Sequence, residues 1–424
     1  MSRFAALIPL LTAAGILLAG NGLLGTMIAL RADQEGFSPI LIGVMGAAYF
    51  AGFIIACFTA AQFIRAVGHI RVFAALAAIT AAGTLTMVLA LNPVAWIIIR
   101  FVMGFCFSGL FMVVDSWLNE SAHNEDRGRL MSIYRIVDLS AVTGMQFLIP
   151  AMGTEGYELF IMAGIILGLS LVPISLSDRS RPNPPENIKL DLRTIWAISP
   201  MACVGSFAIG MTGSAFRLVA PLYATNVGLD VSGVAIFMSA GIIGGALFQY
   251  PLGSMSDRMG RRWVLMLATA CAAASGLFLT NLSGETPWLV YLGIFLFGGF
   301  SLPLYSLSAA HANDQAAAGQ YVIVSAGLTF FFSVGGLIGP VIASWMIQTY
   351  GAPAFFTYTS AIHGSLVLYV VWRKIRNPGV IVRTPFVALI KTSPIIYRMA
   401  RRAKAAQRRR QRKGAGTPEL IKPW

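Results

Sequence analysis

The stretch GSMSDRMGRR, Gly253 to Arg262, decides the fold. Val231 to Leu252, just before it, contains no charged residue, and neither does Trp263 to Asn281, just after it. Asp257, Arg258, Arg261 and Arg262 thus crowd into a short link between two uncharged runs. Each run has about the twenty residues that cross a bilayer as a helix. A surface turn of a water-soluble protein needs no such flanks, whereas a loop between two membrane-crossing helices does.

The rest of the chain extends this reading. Of its 424 residues, 57% are hydrophobic and 11% charged, and the mean hydropathy is +0.73. A soluble domain carries roughly 25% charged residues. A larger core does not explain the deficit, because a soluble surface still needs polar cover. Twelve apolar spans are expected, at 4–30, 39–64, 71–91, 94–119, 129–152, 156–176, 197–224, 231–254, 263–282, 287–312, 317–348 and 351–373. The expected fold is an all-α membrane protein of twelve transmembrane helices in two six-helix pseudo-repeat bundles. Residues 1–176 form the first bundle, 177–196 a cytoplasmic linker, 197–373 the second bundle and 374–424 a basic cytoplasmic tail. The first apolar run is too long for a signal-peptide core and reads as a retained helix.

Charge sets the orientation. The formal net charge is +14. Residues 374–424 hold 14 Lys or Arg and one acid, Glu419, so +13 of it belongs to the tail. With both ends in the cytoplasm, 28 of the 31 basic residues lie at or near the inner side, as the positive-inside rule requires. The exceptions are Arg31, Arg100 and Arg217. A polybasic segment after the last span reads as an anchor on anionic lipid headgroups. ARRAKAAQRRRQRKG (400–414) lacks the interleaved aromatics that stack on bases, so nucleic acid is not expected as a partner. A bacterial-type plasma (inner) membrane and a monomer are expected.

The two halves resemble each other at an offset of 190–192: RAVGHIRVFAALAAITAAGTL (65–85) lines up with DRMGRRWVLMLATACAAASGL (257–277). Parallel six-helix repeats with a site between them are one plan for secondary transporters.

Gly253, Asp257, Arg258, Gly260, Arg261 and Arg262 resemble the loop signature G-x-x-x-D-R-x-G-R-R/K of the major facilitator superfamily. The resemblance implies a cytoplasmic gating loop, with Asp257 facing an arginine or a helix N-terminus as a latch. The first-half copy, AQFIRAVGHIR (61–71), keeps Gly68 and Arg71 but has Ala61 and Arg65 where the first glycine and the acid belong. Any acid-based gate therefore belongs to the second half. Within the superfamily the chain is similar to the YcaD-like permeases, through Val114-Asp115-Ser116, Arg127-Gly128-Arg129-Leu130, YPLGSMSDRMGRR (250–262) and GGLIGP (335–340). That likeness covers the chain to about residue 376 and implies fold and reaction class, not a substrate.

Ionisable residues inside spans are costly and mark function by default. Asp138 lies about 15 Å into span five. Arg135, Asp138, Val142 and Gln146 step by 3, 4 and 4, so they share one helix face. Asp138 is either a proton-coupling carboxylate or half of a structural pair with Arg135. Asp115, roughly 7 Å inside the inner end of span four, is a second proton-coupling candidate, or pairs with Arg127 or Arg129. Arg100, about 22 Å along the same helix from Asp115, binds an anionic group, relays protons or snorkels to headgroups, and Arg217 in span seven either recognises an anionic group or snorkels. Asn21, Gln249, Tyr223 and Tyr305 are candidates for a pathway lining, the tyrosines near Pro221 and Pro303. Gly335, Gly336, Gly339 and Pro340 favour close helix packing. Span five holds only Gly144 and a distant Pro150, so an antiporter-associated G-x-x-x-G-P pattern is missing there.

Cys57, Cys106, Cys203 and Cys271 are scattered, and His311 and His363 are solitary. No metal ligand spacing, nucleophile–base motif or P-loop occurs, so neither a cofactor nor an enzyme is expected. The expected function is secondary active transport of a small molecule by alternating access, with proton coupling through Asp138. The alternative is a non-transporting sensor or interaction protein, for which the basic tail is the sequence feature.

Overall fold

A computed structural model describes residues 8–121, 127–176, 191–317 and 320–376. Arg3, most of the linker (177–190) and the basic tail from 377 lie outside the described residues, as do the side chains of 119–132, Arg127 and Arg129 among them. The crossings are α1 (Ile8–Gln34), α2 (Pro39–Val67), α3 (His69–Leu89), α4 (Pro93–Ser121), α5 (Arg127–Gln146) and α6 (Glu158–Ser175, with a turn at Ser170). The second set is α7 (Pro200–Leu218), α8 (Val231–Met259), α9 (Arg261–Leu279), α10 (Pro287–Gln315, broken at Leu302–Pro303), α11 (Tyr321–Tyr350) and α12 (Ala354–Arg376). Short helices Leu148–Met152, Leu192–Ile198 and Ala220–Asn226 extend or precede α5 and α7. We call the side where α1 begins and α12 ends the terminal face, and the other side the distal face.

Eleven of these helices are long and apolar enough to cross a membrane. The remaining crossing, α5, carries Arg127, Arg129, Arg135 and Asp138 and so falls short on hydropathy, not on place in the bundle. It packs along α1 and α8 as a full member. Large apolar side chains such as Leu247 and Trp288 stand exposed on the rim, where hydrocarbon covers them.

Local chemistry sets the helix ends. Ser38 caps α2, its Oγ accepting from Leu41 N–H at 3.4 Å, with Pro39 in the first turn where no N–H is needed. Asp230 caps α8 through Gly233 N–H at 2.8 Å. At Asp191, before the short helix Leu192–Ile198, the side chain and backbone of Thr194 both donate to the carboxylate and hold it below the usual carboxylate range.

The two bundles use the same packing scheme. In the first, α2 packs on α4, α1 on α5, and α3 on α4 and α6; in the second, α8 packs on α10, α7 on α11, and α9 on α10 and α12. The close approaches also repeat. A Cβ on Gly52 would meet the Phe101 carbonyl, and one on Gly104 the Tyr49 carbonyl. In the second bundle Gly244 abuts the Phe295 carbonyl and Gly298 the Gly241 carbonyl. Only a residue without a side chain lets the helices touch backbone to backbone. Gly335 and Gly339 likewise seat α11 on Phe207 and Met211 of α7, the packing role expected of GGLIGP.

Across the bundles, α2 packs on α11 and α5 on α8, a pair of contacts that the internal pseudo-symmetry relates. Toward the distal face the approach is close. Gly43 lies against the Pro340 carbonyl and Ser344, Gly46 against Leu218 and Pro340, and Gly25 against the Arg217 carbonyl. Ile40 N–H donates to Gln348 Oε1 at 3.3 Å.

Candidate functional site

The polar stripe of α5 does not face lipid. Arg135 Nη1 and Asp138 Oδ2 form an ion pair at 2.7 Å, with side chains 29% and 14% exposed. Arg135 Nη2 donates to Gln249 Oε1 of α8 at 3.0 Å, and Gln249 Nε2 donates to Ser306 Oγ of α10 at 3.2 Å. One continuous polar chain therefore runs from the first bundle into the second. It lies inside the membrane-crossing region, eight residues into α5 and ten before the end of α8. The pair expected within α5 is thus formed, and its arginine reaches across the bundle interface as well. Further along the same face, Gln146 is buried and donates through Nε2 to the Gly22 carbonyl of α1 at 3.1 Å, while its Oε1 has no partner among the described residues. Asn21, half-buried, is beside that carbonyl on α1.

Asp115 joins this neighbourhood. It is 1% exposed on α4. Tyr134, itself fully buried on α5, lies in the combined field of Asp115, Asp138 and Arg135. Both carboxylates singled out by sequence thus act on one buried ring through their charge. Next to Asp115, Ser116 Oγ is hydrogen-bonded with His69 Nε2 at 3.0 Å, and the His69 ring meets Trp117 edge-on.

Arg100 and Arg217 lie nearer the distal face. Arg100 is 6% exposed, inside the protein and not at its lipid rim, so it does not snorkel. Its guanidinium carbon stands 4.5 Å from the centre of the Tyr49 ring. Arg217 is exposed, and its charge also acts on Tyr49.

The stretch Gly253–Arg262 forms the end of α8, a one-residue turn and the start of α9. Gly260 carries φ = +110°, a backbone that side chains disfavour, so the glycine in the signature makes the turn. Arg261 is buried, and its Nη1 bridges Asp257 Oδ1 at 2.5 Å and donates to Ser256 Oγ at 2.6 Å. Its Nε reaches Asp314 Oδ2 on α10 at 3.0 Å. Asp257 thus pairs with an arginine of its own loop, and Arg261 makes a longer reach to Asp314. Together they tie α8, α9 and α10 within one bundle. Arg258 is exposed and Arg262 half-buried. In the first bundle His69 occupies the matching position, directly after Gly68 at φ = +89°, and is hydrogen-bonded with Ser116.

The remaining polar side chains are hydrogen-bonded inside the second bundle. Tyr223 Oη donates to the Leu279 carbonyl at 2.8 Å, Tyr305 Oη is bonded with Thr329 Oγ1 at 3.3 Å, and His363 Nε2 with Ser301 Oγ at 3.1 Å. Tyr134, Ser306, Tyr49 and Asp314 were not singled out from sequence. Asp314 alone had a usable signal, since it is an acid near the end of a span, as Asp115 is.

The chain resembles known proteins along nearly its full length. The "Uncharacterized MFS-type transporter YcaD" of Escherichia coli O139:H28 is 24% identical over 364 residues, 84% of this chain and 91% of that one. Among solved structures, the nucleoside transporter NupG superposes with a TM-score of 0.73 at 12% identity, covering 88% of this chain and 99% of that one. A bacterial homolog of the human lysosomal transporter Spinster, inward-facing and unoccupied, gives 0.67 at 14% identity, covering 95% and 98%. These likenesses carry the fold. The sequence model of the Major Facilitator Superfamily matches residues 10–198 and 202–409. A match of that extent, on a twelve-span bundle pair with the signature loop in its expected place, leaves one conclusion: the chain belongs to the Major Facilitator Superfamily of membrane transporters.

Proposed function

We propose that the protein is a secondary active transporter that moves a small molecule by alternating access and couples it to protons through Asp138. The observation that carries this reading is the chain Asp138–Arg135–Gln249–Ser306, which links the two bundles within the membrane. In a low-dielectric interior an ion pair is tolerated, while a lone charge is strongly disfavoured. Protonating Asp138 strips Arg135 of its counterion, so the guanidinium must find new partners, and the geometry that leans on Gln249 changes. That is the differential stability a coupled transporter needs between its two states.

Supporting alternation, the close backbone approaches described above gather toward the distal face. On our reading that face is sealed and extracytoplasmic, both termini are cytoplasmic, and access is from the terminal face of an inner membrane. Residues 1–176 and 197–373 are the two rocking units, and the Gly253–Arg262 loop is a brace within the second. The basic tail rests on anionic headgroups.

The test is transport in proteoliposomes containing the purified protein, with candidate solutes under an imposed pH gradient. The expected result is pH-driven flux in the native protein, and in Asp138→Asn a flux that no longer responds to the gradient. Unaltered pH dependence in Asp138→Asn would remove Asp138 as the coupling group, and no flux of any solute would remove the transport reading itself.

A further inference from the structure

Arg100 is a cation with no counterion among the described residues. It sits seven residues from the start of α4, about 10 Å inside the distal end. It is 94% buried, forms no ion pair with a described residue, and its Nε is sealed from solvent with no hydrogen-bond partner among them. The contact it does make is with the face of Tyr49, 4.5 Å from the ring centre. Such a contact returns only a small part of the cost of taking a charge out of water. The arrangement is unbalanced by itself.

A second cation belongs to the opposite bundle. Arg217, in the last turn of α7, acts on the same Tyr49 ring. Gly25 of α1 lies against its carbonyl, and Gly46 of α2, one turn from Tyr49, lies against Leu218. The rest of the neighbourhood is aromatic: Phe50, Phe53 and Phe107 have ring centres 5.4, 6.3 and 6.2 Å from that of Tyr49. Phe332 of the second bundle is 6.1 Å from Phe50.

We infer that the cargo is an organic anion, its acidic group drawn to Arg100 and Arg217 and its apolar, aromatic-sized body lying against the rings around Tyr49. The inference rests on the transport reading above. An anion supplies the missing countercharge. Because its two cations belong to different bundles, it also favours states in which they converge. A guanidinium suits a carboxylate or a phosphate monoester equally, and the rings select against small inorganic anions.

The test uses the full chain purified in detergent and three size-matched probes: 1-naphthoate, 1-naphthalenemethanol and 1-naphthylmethylamine, with phenyl phosphate as the second anion. Thermal unfolding is followed against probe concentration. A saturable rise in Tm is expected with the anions and not with the alcohol or the amine. In Arg100→Gln and Arg217→Gln the anion affinity is expected to fall at least tenfold, with partial retention in Arg100→Lys. Arg217 is exposed, so its variant carries the test should Arg100→Gln fail to fold. Equal stabilisation by the alcohol or amine, no response to either anion, or unchanged anion affinity in the glutamine variants would each overturn the inference. Flux of a neutral or cationic solute with no anion response would overturn it and leave transport standing; anion binding without flux of any solute would do the reverse.

Discussion

Gln249 shows how one side chain can serve two bundles. Its carbonyl oxygen accepts from Arg135 and its amide donates to Ser306, so both ends of one amide are committed. Gln249→Leu keeps the volume and removes both bonds. It leaves Arg135 short of an acceptor, at about 1–3 kcal/mol for a charged hydrogen bond lost in a buried site. The expected result is a lower Tm and at least a tenfold loss of transport rate; a normal rate would show that the chain is incidental. Arg261 makes a different case. It presents Nε to Asp314 and Nη1 to Asp257 and Ser256, which uses the fixed fork of a guanidinium. Arg261→Lys keeps the charge and loses the fork. It is expected to recover only part of the stability lost in Arg261→Ala, as read by thermal unfolding.

Helices α2, α4, α8 and α10 depend on positions with no side chain at all. Gly298 faces the Gly241 carbonyl and Gly104 the Tyr49 carbonyl. Gly298→Leu or Gly104→Leu must push a helix pair apart, and overpacking of this kind costs about 1–3 kcal/mol or more. Gly144 on α5 is exposed with nothing near it, so Gly144→Leu is expected to leave the Tm within a degree or two. Equal tolerance at all three positions would contradict the packing scheme. The same comparison explains what the sequence made legible. Spans, loop chemistry and the Arg135–Asp138–Gln146 face follow from hydropathy and helical period, which are local. Even α5, too polar for a hydropathy threshold, was recoverable from its stripe. The partners Ser306 and Tyr134 were not, because a lone serine or tyrosine in an apolar span carries no periodic signal, and only tertiary packing sets it beside a glutamine amide or within the field of two carboxylates. At the signature loop the i+4 neighbours Asp257 and Arg261 were visible in the sequence, but Asp314, 53 residues from Arg261, was not.

Two bundles with one packing scheme touch through symmetry-related pairs, α2 with α11 and α5 with α8. The second pair carries the polar chain, and the first carries Gly43 against the Pro340 carbonyl. If the bundles rock, both pairs must change together, and protonation of Asp138 biases the change by the 1.5–3 kcal/mol of a charged hydrogen bond, about tenfold or more in population. Spin labels at Ser38 and Gln348, on opposite bundles at the distal face, report that change in a background with the native cysteines replaced. Double electron–electron resonance at pH 8 is predicted to give mainly the short distance of the closed distal face. In Asp138→Asn, which carries the uncharged side chain that protonation would leave, a longer distance grows in. A single short distance that Asp138→Asn leaves unaltered would contradict proton-coupled rocking of the two bundles.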